Sequence, residues 1–366
     1  MATIALDATY SADPQLTGIG VYSRRLIEAL LTLETPHRFL ICYRLSRLGR
    51  RQHFLRPGSV PGARARFSVR VYQEPITFWL PWQAQLFHSL AQRPPAFHFR
   101  REVVTVHDIF PITGDNYSTA DFRQKFSGLL LQGVGRASRV IACSHATKNL
   151  LVSRAQVPPE RIRVIPEGVD PPNVVLSPKE RLRERSRILG GEGEMVLSVG
   201  VIQTRKNTLN MLKALKTLPP KYKLVLCGGN GYGNEAIHEF IRTEFLGDRV
   251  ILLGFIDDAQ LARLYQAASV FLFPSWEEGF GIPVLEAMAG GVPVVTSNVS
   301  SMPEVGGEAA LYVNPHDPSD IAQKVGQAVE DSALRVALVQ KGFARASEFT
   351  WRRTAEATLA VYNEIL

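Results

Sequence analysis

Between Pro274 and Val295 the chain reads Pro-Ser-Trp-Glu-Glu-Gly-Phe-Gly-Ile-Pro-Val-Leu-Glu-Ala-Met-Ala-Gly-Gly-Val-Pro-Val-Val, and two of its carboxylates, Glu278 and Glu286, stand eight positions apart. Glu278 opens a glycine-broken loop. Glu286 belongs to the helical pattern that follows, where Pro283 suits the first turn because its missing N–H would have no intrahelical partner anyway. Backbone N–H groups of Gly279, Phe280 and Gly281 just ahead of a helix start are suited to an anion. A carboxylate accepts hydrogen bonds from paired hydroxyls. A ligand that is both anionic and polyhydroxylated meets both demands, and a nucleotide sugar is one. The bland alternative is a pair of solvent-facing acids, with Glu286 stabilised only by the helix dipole.

Three further segments fall at the ends of apolar runs. In Ser198-Val199-Gly200-Val201-Ile202-Gln203-Thr204-Arg205-Lys206-Asn207 a strand pattern gives way to a glycine, a loop and a helix. The pattern places Arg205 and Lys206 at the helix start, where the dipole disfavours cations; a bound diphosphate would remove the conflict. Thr17-Gly18-Ile19-Gly20 follows the first strand and precedes an amphipathic helix (Val21, Leu26, Ile27, Leu30, Leu31). Gly18 and Gly20 would let backbone approach a phosphate, although the full dinucleotide fingerprint is missing. Val106-His107-Asp108 closes another apolar run, with Asp108 placed to orient the His107 ring. His88, after Leu86-Phe87, raises the same question with less support.

The elements that must position these residues alternate regularly. Strands are expected at Thr3–Leu6, Arg38–Tyr43, Arg66–Val71, Leu86–His88, Val103–Val106, Arg139–Ala142 and Ile162–Ile165. A second series runs Met195–Val199, Lys223–Cys227, Val250–Leu253, Val270–Phe273, Val292–Thr296 and Ala310–Val313. Helical patterns lie between, including Gly20–Leu33, Thr119–Ala137, Asn207–Thr217, Asp258–Ala267, Pro283–Ala289 and Pro318–Glu330. Alternation of this kind indicates parallel sheets covered on both faces. The restart after Pro-Glu-Gly-Val-Asp-Pro-Pro implies two domains, 1–170 and 171–350, with a last helix at about 351–366 returning to the first. Two doubly wound domains would face each other across a cleft, ligands gathering beyond the carboxyl ends of their strands.

Bulk properties agree with that class. A chain of 366 residues, 45% hydrophobic and 21% charged, has ample core for two globular domains. No run approaches the ~20 apolar residues of a spanning helix, and Met-Ala-Thr-Ile-Ala-Leu-Asp reads as a first strand rather than a signal peptide. Cys42, Cys143 and Cys227 are odd in number and far apart, which disfavours a disulfide framework or zinc site and suits a cytoplasmic chain. Residues 1–190 hold 27 Lys and Arg against 14 Asp and Glu, whereas residues 191–366 hold 15 against 20. Arg44, Arg47, Arg50, Arg51, Arg56, Arg64, Arg66 and Arg70 follow one another without an intervening acid. A solvated face is one reading. A patch for anionic lipid, or for a phosphorylated acceptor, is the other, with Phe54, Leu55, Phe78, Trp79 and Trp82 available to wedge into an interface. No nucleic-acid-reading motif accompanies the charge.

Taken together, the four segments resemble the family 4 glycosyltransferases, enzymes of the GT-B fold, over essentially the whole chain. Glu278 and Glu286 look like that family's paired glutamates, and Ser198-Val199-Gly200 with Arg205-Lys206-Asn207 looks like its diphosphate-binding element. Val164-Ile165-Pro166-Glu167-Gly168-Val169-Asp170 looks like the segment before its interdomain linker. Phe87-His88-Ser89 with Val104-Thr105-Val106-His107-Asp108 is most similar to the bacterial mannosyltransferase-like branch. The resemblance implies a retaining hexosyltransferase that uses a nucleotide-diphosphate sugar, GDP-mannose first and a UDP-sugar second. The acceptor would be a glycan or lipid-linked glycan in polysaccharide biosynthesis. Arg205 and Lys206 are then expected on the diphosphate, Glu286 on the ribose, and Glu278 with Gly279, Phe280 and Gly281 on the donor sugar. His107 would lie near the reacting carbon, Gly18, Gly20 and Gly200 at the phosphates, and Phe255 and Ile256 at the base. With no Asp-x-Asp pair in the chain, no cofactor and no metal are expected. A sugar-nucleotide epimerase, another enzyme on a GT-B scaffold and a non-catalytic nucleotide-binding scaffold are the competing readings.

Overall fold

A computed structural model describes residues 1–74, 76–114 and 116–366, and the chain divides into two compact units. Unit 1 comprises Met1–Thr113, Asp121–Gly168 and Phe349–Leu366; unit 2 comprises Gly114–Ala120 and Val169–Glu348.

Unit 1 is built on seven parallel strands in the order β3-β2-β1-β4-β5-β6-β7. These are β1 (Thr3–Asp7), β2 (Arg38–Arg44), β3 (Arg66–Tyr72), β4 (Leu86–Ser89), β5 (Glu102–Val106), β6 (Arg139–Ala142) and β7 (Ile162–Val164). The interior strands β1, β4 and β5 are almost wholly buried, as strands covered on both faces must be. The edge strand β3 exposes Arg66, Arg70 and Val71. Helix Gly18–Thr32 buries Tyr22, Leu26, Ile27, Leu30 and Leu31 along one stripe, and packs against the C-terminal helix Trp351–Ile365. That last helix is also pinned by polar bonds. Thr354 donates to the Pro166 carbonyl at 2.9 Å, Tyr362 meets His88 Nδ1 at 2.6 Å, and Glu364 accepts from Arg139 Nη2 at 2.7 Å. His88 is therefore a core residue: its Nε2 meets Thr105 Oγ1 at 2.9 Å, and burial, with His107 adding to it, holds its pKa at about 3.

Unit 2 carries six parallel strands in the order β10-β9-β8-β11-β12-β13: β8 (Glu194–Val199), β9 (Tyr222–Cys227), β10 (Val250–Gly254), β11 (Val270–Phe273), β12 (Val294–Ser297) and β13 (Ala310–Val313). One face packs Leu224, Leu226, Val270 and Leu272 against Met211, Leu212, Leu215, Ile321 and Val325 of the flanking helices. Here the sequence reading needs one correction. Arg205 and Lys206 do not stand at a helix N-terminus: they close a 3-10 turn, Thr204–Lys206, and the α-helix begins at Thr208 after Asn207 in the left-handed region (φ 61°). The dipole conflict inferred from the pattern does not arise.

Half of the arginine run is in ion pairs. Arg44 meets Glu74 at 3.1 Å, Arg47 meets Asp13 at 3.2 Å, Arg50 also pairs with Asp13, and Arg64 pairs with Glu34. Arg51, Arg56, Arg66 and Arg70 pair with no carboxylate among the described residues. All three cysteines are buried and none is in a disulfide, and among the described residues no helix is long and apolar enough to cross a membrane.

Gly168 supplies a sharp test of how the last helix seats. A Cβ there would lie 2.4 Å from the Trp351 backbone nitrogen, a contact that backbone must move to relieve. Gly168→Ala is expected to destabilise the chain by about 1–3 kcal/mol in urea unfolding. Gly128→Ala, where a Cβ meets nothing within 4 Å in the middle of helix Ala120–Arg136, should stabilise by about 0.5–1 kcal/mol. Equal effects of the two changes would contradict this packing.

Candidate active site

At the carboxyl edge of the unit 2 sheet, the segment after β8 is sewn to the segment after β11. Asn207 is 2% exposed, and its Nδ2 donates to the carbonyls of Pro274 at 2.9 Å and Pro315 at 2.7 Å. Asn tolerates the left-handed region better than most residues, so this side chain fixes both the turn and its neighbours. Trp276 N–H completes the seam by donating to the Arg205 carbonyl at 3.0 Å.

The turn delivers two cations onto one acid. Arg205 Nη1 lies 3.0 Å from Glu278 Oε2, and Lys206 Nζ lies 2.6 Å from Oε1. Arg205 is braced by the Glu277 carbonyl, and the Lys206 ammonium sits 4.6 Å from the centre of the Phe273 ring. Gly200 holds φ 136°, and a Cβ there would reach within 3.8 Å of Lys206 Nζ, so glycine keeps that side of the ammonium uncrowded. Burial alone would raise the Glu278 carboxyl. Arg205 and Lys206 outweigh it and hold the pKa at about 2. The three side chains carry a net single positive charge, and both Glu278 oxygens are already engaged.

The loop that follows is shaped by two serines that sequence reasoning passed over. Ser300 donates to the Glu278 carbonyl at 2.6 Å and accepts from Glu278 N–H at 3.0 Å. Ser301 Oγ lies 3.0 Å from the Glu278 carbonyl and 2.7 Å from that of Phe280. In a planar trans peptide the next N–H points opposite the carbonyl. With the carbonyls of residues 278 and 280 turned to Ser301, the N–H groups of Gly279 and Gly281 point to the other side. Gly281 has φ 114°, and a Cβ on it would lie 2.5 Å from Met302 Cε. Ser300 holds φ 60°, uncommon for a residue with a side chain. The signal available in sequence was a Ser-Ser pair soon after a buried strand.

A second missed element is Gly228-Gly229-Asn230-Gly231-Tyr232-Gly233, directly after β9. Ile202 N–H donates to the Gly229 carbonyl at 2.8 Å and Gly231 N–H to that of Ile202 at 2.9 Å. A Cβ on Gly228 would fall 2.1 Å from the Gly200 carbonyl oxygen. The glycines let two backbones touch and so support the cation turn from below. The density of glycine after an apolar run could have flagged it.

Glu286 is the fifth residue of helix Ile282–Ala289, half-buried rather than solvent-facing. Burial raises its pKa and Asp258 and Asp170 add to that, while the Tyr265 hydroxyl, donating to Oε2 at 2.8 Å, opposes the rise. Phe255, just past β10, is 53% exposed and presents a bare aromatic face; Ile256 beside it is half-buried.

In unit 1, Gly18 begins its helix with open space around the position of a Cβ, whereas a Cβ on Gly20 would press within 3.0 Å of the Tyr10 carbonyl. His107 follows β5 and is 8% exposed. Its Nδ1 meets Glu167 Oε1 at 2.8 Å and its Nε2 meets the Leu90 carbonyl at 3.0 Å. The acid that orients the ring is therefore Glu167, 60 positions away, and not the adjacent Asp108.

Two parallel-sheet α/β units, together with the glycosyltransferase profiles that match them, define the class: this is a glycosyltransferase of the GT-B type. The family profile "Glycosyltransferase Family 4" matches residues 16–172 and "Glycosyl transferases group 1" matches residues 179–345. The chain belongs to the family 4 glycosyltransferases. It is 29% identical over 290 residues to O-antigen chain mannosyltransferase B of Escherichia coli, covering 77% of this chain and 76% of that protein. It is 28% identical over 277 residues to the serotype-specific mannosyltransferase WbdA of the same organism, 73% of this chain but only 34% of WbdA. Among solved structures, Anabaena HepE in complex with UDP-glucose superposes with a TM-score of 0.77 at 18% identity, each chain wholly covered. Sucrose-phosphate synthase from Thermosynechococcus elongatus gives 0.78 at 21% identity, covering 100% of this chain and 99% of that one. These last two establish the fold.

The buried triad makes a stability prediction with a definite pH dependence. A carboxyl lowered from 4.5 to about 2 contributes about 3 kcal/mol to folding. The contribution is complete above pH 4.5 and disappears as pH falls towards 2. Glu278→Gln should lower the unfolding free energy by about 3 kcal/mol at pH 7, a difference from wild type that shrinks steadily below pH 4.5. A difference independent of pH would mean the ion pairs are not its source.

Proposed function

We propose that this chain moves a hexose from a nucleotide-diphosphate sugar to a glycan or lipid-linked glycan in polysaccharide biosynthesis. It does so with retention of configuration and without a divalent metal. GDP-mannose is the first candidate donor, supported by the mannosyltransferase names of its relatives; a UDP-sugar is the second. The observation that carries the reading is the Arg205–Lys206 pair held on Glu278. A departing nucleoside diphosphate gathers negative charge, and fixed cations aimed at it supply the main catalytic need. The donor diphosphate takes up the net positive charge of the triad. Glu286 accepts from the ribose hydroxyls beside its bond to Tyr265, and Phe255 with Ile256 frames the base. The N–H groups of the 279–281 loop meet hydroxyls of the sugar, with Gly200, Gly18 and Gly20 as close-approach backbone.

The same geometry favours front-face attack. A double displacement requires a carboxylate free to bond the anomeric carbon. Both oxygens of Glu278 are taken by cations, and Glu286 accepts from Tyr265. The acceptor oxygen then bonds the anomeric carbon on the face from which the diphosphate leaves. The acceptor proton passes to a phosphate oxygen of the leaving group. His107, whose ring nitrogens are both engaged, takes no part in moving that proton.

Contact with an acidic membrane surface is the second part of the proposal, placing the chain on the cytoplasmic face. Ile76, Phe78, Trp79 and Trp82 are exposed at 63%, 61%, 42% and 78%, and Phe78 sits edge-on to both tryptophans. They follow the edge strand that exposes Arg66 and Arg70. Aromatic rings with neighbouring cations suit the headgroup region of anionic lipid.

Four measurements test this reading. In a thermal-shift panel of GDP, UDP and their sugars, one nucleotide family should raise stability, by roughly 2.7 kcal/mol at a hundredfold excess over Kd. Activity, read as nucleoside diphosphate released on adding acceptor, should survive chelation; a sugar change with no acceptor present would instead indicate an epimerase. Lys206→Ala should lower kcat at least a hundredfold with a smaller effect on donor KM, and Glu286→Ala should act chiefly on nucleotide affinity. Vesicle flotation should recover the chain with acidic but not neutral lipid, and Trp82→Ser should weaken it. Equal recovery with both lipids at physiological salt would rule out the membrane part.

A further inference from the structure

The ring of His107 faces a backbone carbonyl, which can only accept, and the Glu167 carboxyl, which only accepts when ionised. Nδ1 meets a Glu167 carboxylate oxygen at 2.8 Å, and Nε2 meets the Leu90 carbonyl oxygen at 3.0 Å. A neutral imidazole carries one N–H and one bare nitrogen. In either neutral form, one of these two contacts would set a lone pair against a lone pair in a buried place, where an unmade bond costs about 1–3 kcal/mol. With Glu167 as the carboxylate, only a ring protonated on both nitrogens satisfies both partners; the alternative keeps the same proton on Glu167, which would then donate to Nδ1. We infer that Glu167 is a positioning residue that holds His107 as an imidazolium with both N–H bonds committed. His107 then serves this enzyme as a fixed, oriented group and not as a proton shuttle.

The surroundings agree. Burial works against the charged ring, yet the bond to Glu167 and its negative charge prevail, and the His107 pKa lies above the ordinary histidine value. The other titratable groups near it are Tyr22 from helix Gly18–Thr32, His88 from β4, Cys143 after β6, and Asp108. Tyr22 presents its ring at 83° with centroids 4.6 Å apart. Cys143 donates its thiol to the His107 carbonyl at 2.9 Å, and its own pKa is raised by burial. His88, held neutral, contributes no competing charge. The His107–Glu167 pair is net neutral, so it does not oppose positive charge developing on a sugar carbon nearby. Glu167 stands in the Pro-Glu-Gly-Val-Asp segment, one residue before the middle segment of unit 1 ends.

The test is a nitrogen spectrum of the full chain labelled with 15N at histidine. At pH 8, with exposed rings of pKa about 6.5 neutral, one of the eight histidines should show both ring nitrogens protonated. Glu167→Gln should abolish that signature, and Glu167→Asp should restore it in part. In the activity arm, which alone rests on the transferase reading, wild-type kcat/KM should show no histidine ionisation between pH 6 and 8. The Glu167→Gln enzyme, with burial no longer opposed by the carboxylate, should gain one below the ordinary histidine value. If all eight wild-type rings show an unprotonated nitrogen at pH 8, the inference is overturned. That holds whether or not the variants fold and whatever the enzyme proves to transfer.

Discussion

Two cations sharing one buried carboxylate are the constraint on which the candidate site depends. Arg205 and Lys206 could not occupy an interior edge of the sheet unpaired, since an uncompensated buried charge is strongly destabilising. Glu278 makes their burial tolerable. One of its oxygens meets each cation. A carboxylate with both oxygens so engaged is a poor nucleophile, and the charge balance thereby bears on mechanism as well as on stability.

Everything around the triad serves to keep it in register. Asn207, in a left-handed conformation, ties the cation turn to Pro274 and Pro315. Ser300 and Ser301 hold the carbonyls of the acidic loop and so aim its N–H groups. Gly228, Gly231 and Gly233 let the β9 loop lie directly against residues 200–204, where any side chain would collide. These residues do no chemistry themselves. They convert a flexible sheet edge into a surface with fixed donors, which is what electrostatic preorganisation requires.

Unit 1 uses the same economy with different parts. His88, Thr105, Tyr22 and Tyr362 form a buried polar chain that joins the last helix to the sheet. His107 lies beside it with Glu167. Two histidines a strand apart thus end in opposite states: one neutral because burial dominates, one charged because a carboxylate faces it. Local environment, not residue type, decides which.

Much of this was legible in the chain alone. Every expected strand is present, usually within a residue or two, because buried parallel strands write themselves as short apolar runs between turn residues. The glutamate pair, the Arg-Lys couple and the glycine turns were visible because their spacing is local. Helices His145–Ala155, Asn234–Thr243 and Ser332–Ser347 are further elements beyond those named from the pattern. What the chain could not reveal was who meets whom across long separations: Glu278 with Arg205 and Lys206, Glu167 with His107, Ser301 with the acidic loop, the acids that neutralise half the arginine run. Periodicity and turn chemistry act over a few residues and are written in order. Charge pairing and hydrogen-bond direction act through space, and only the packed sheet edges decide them.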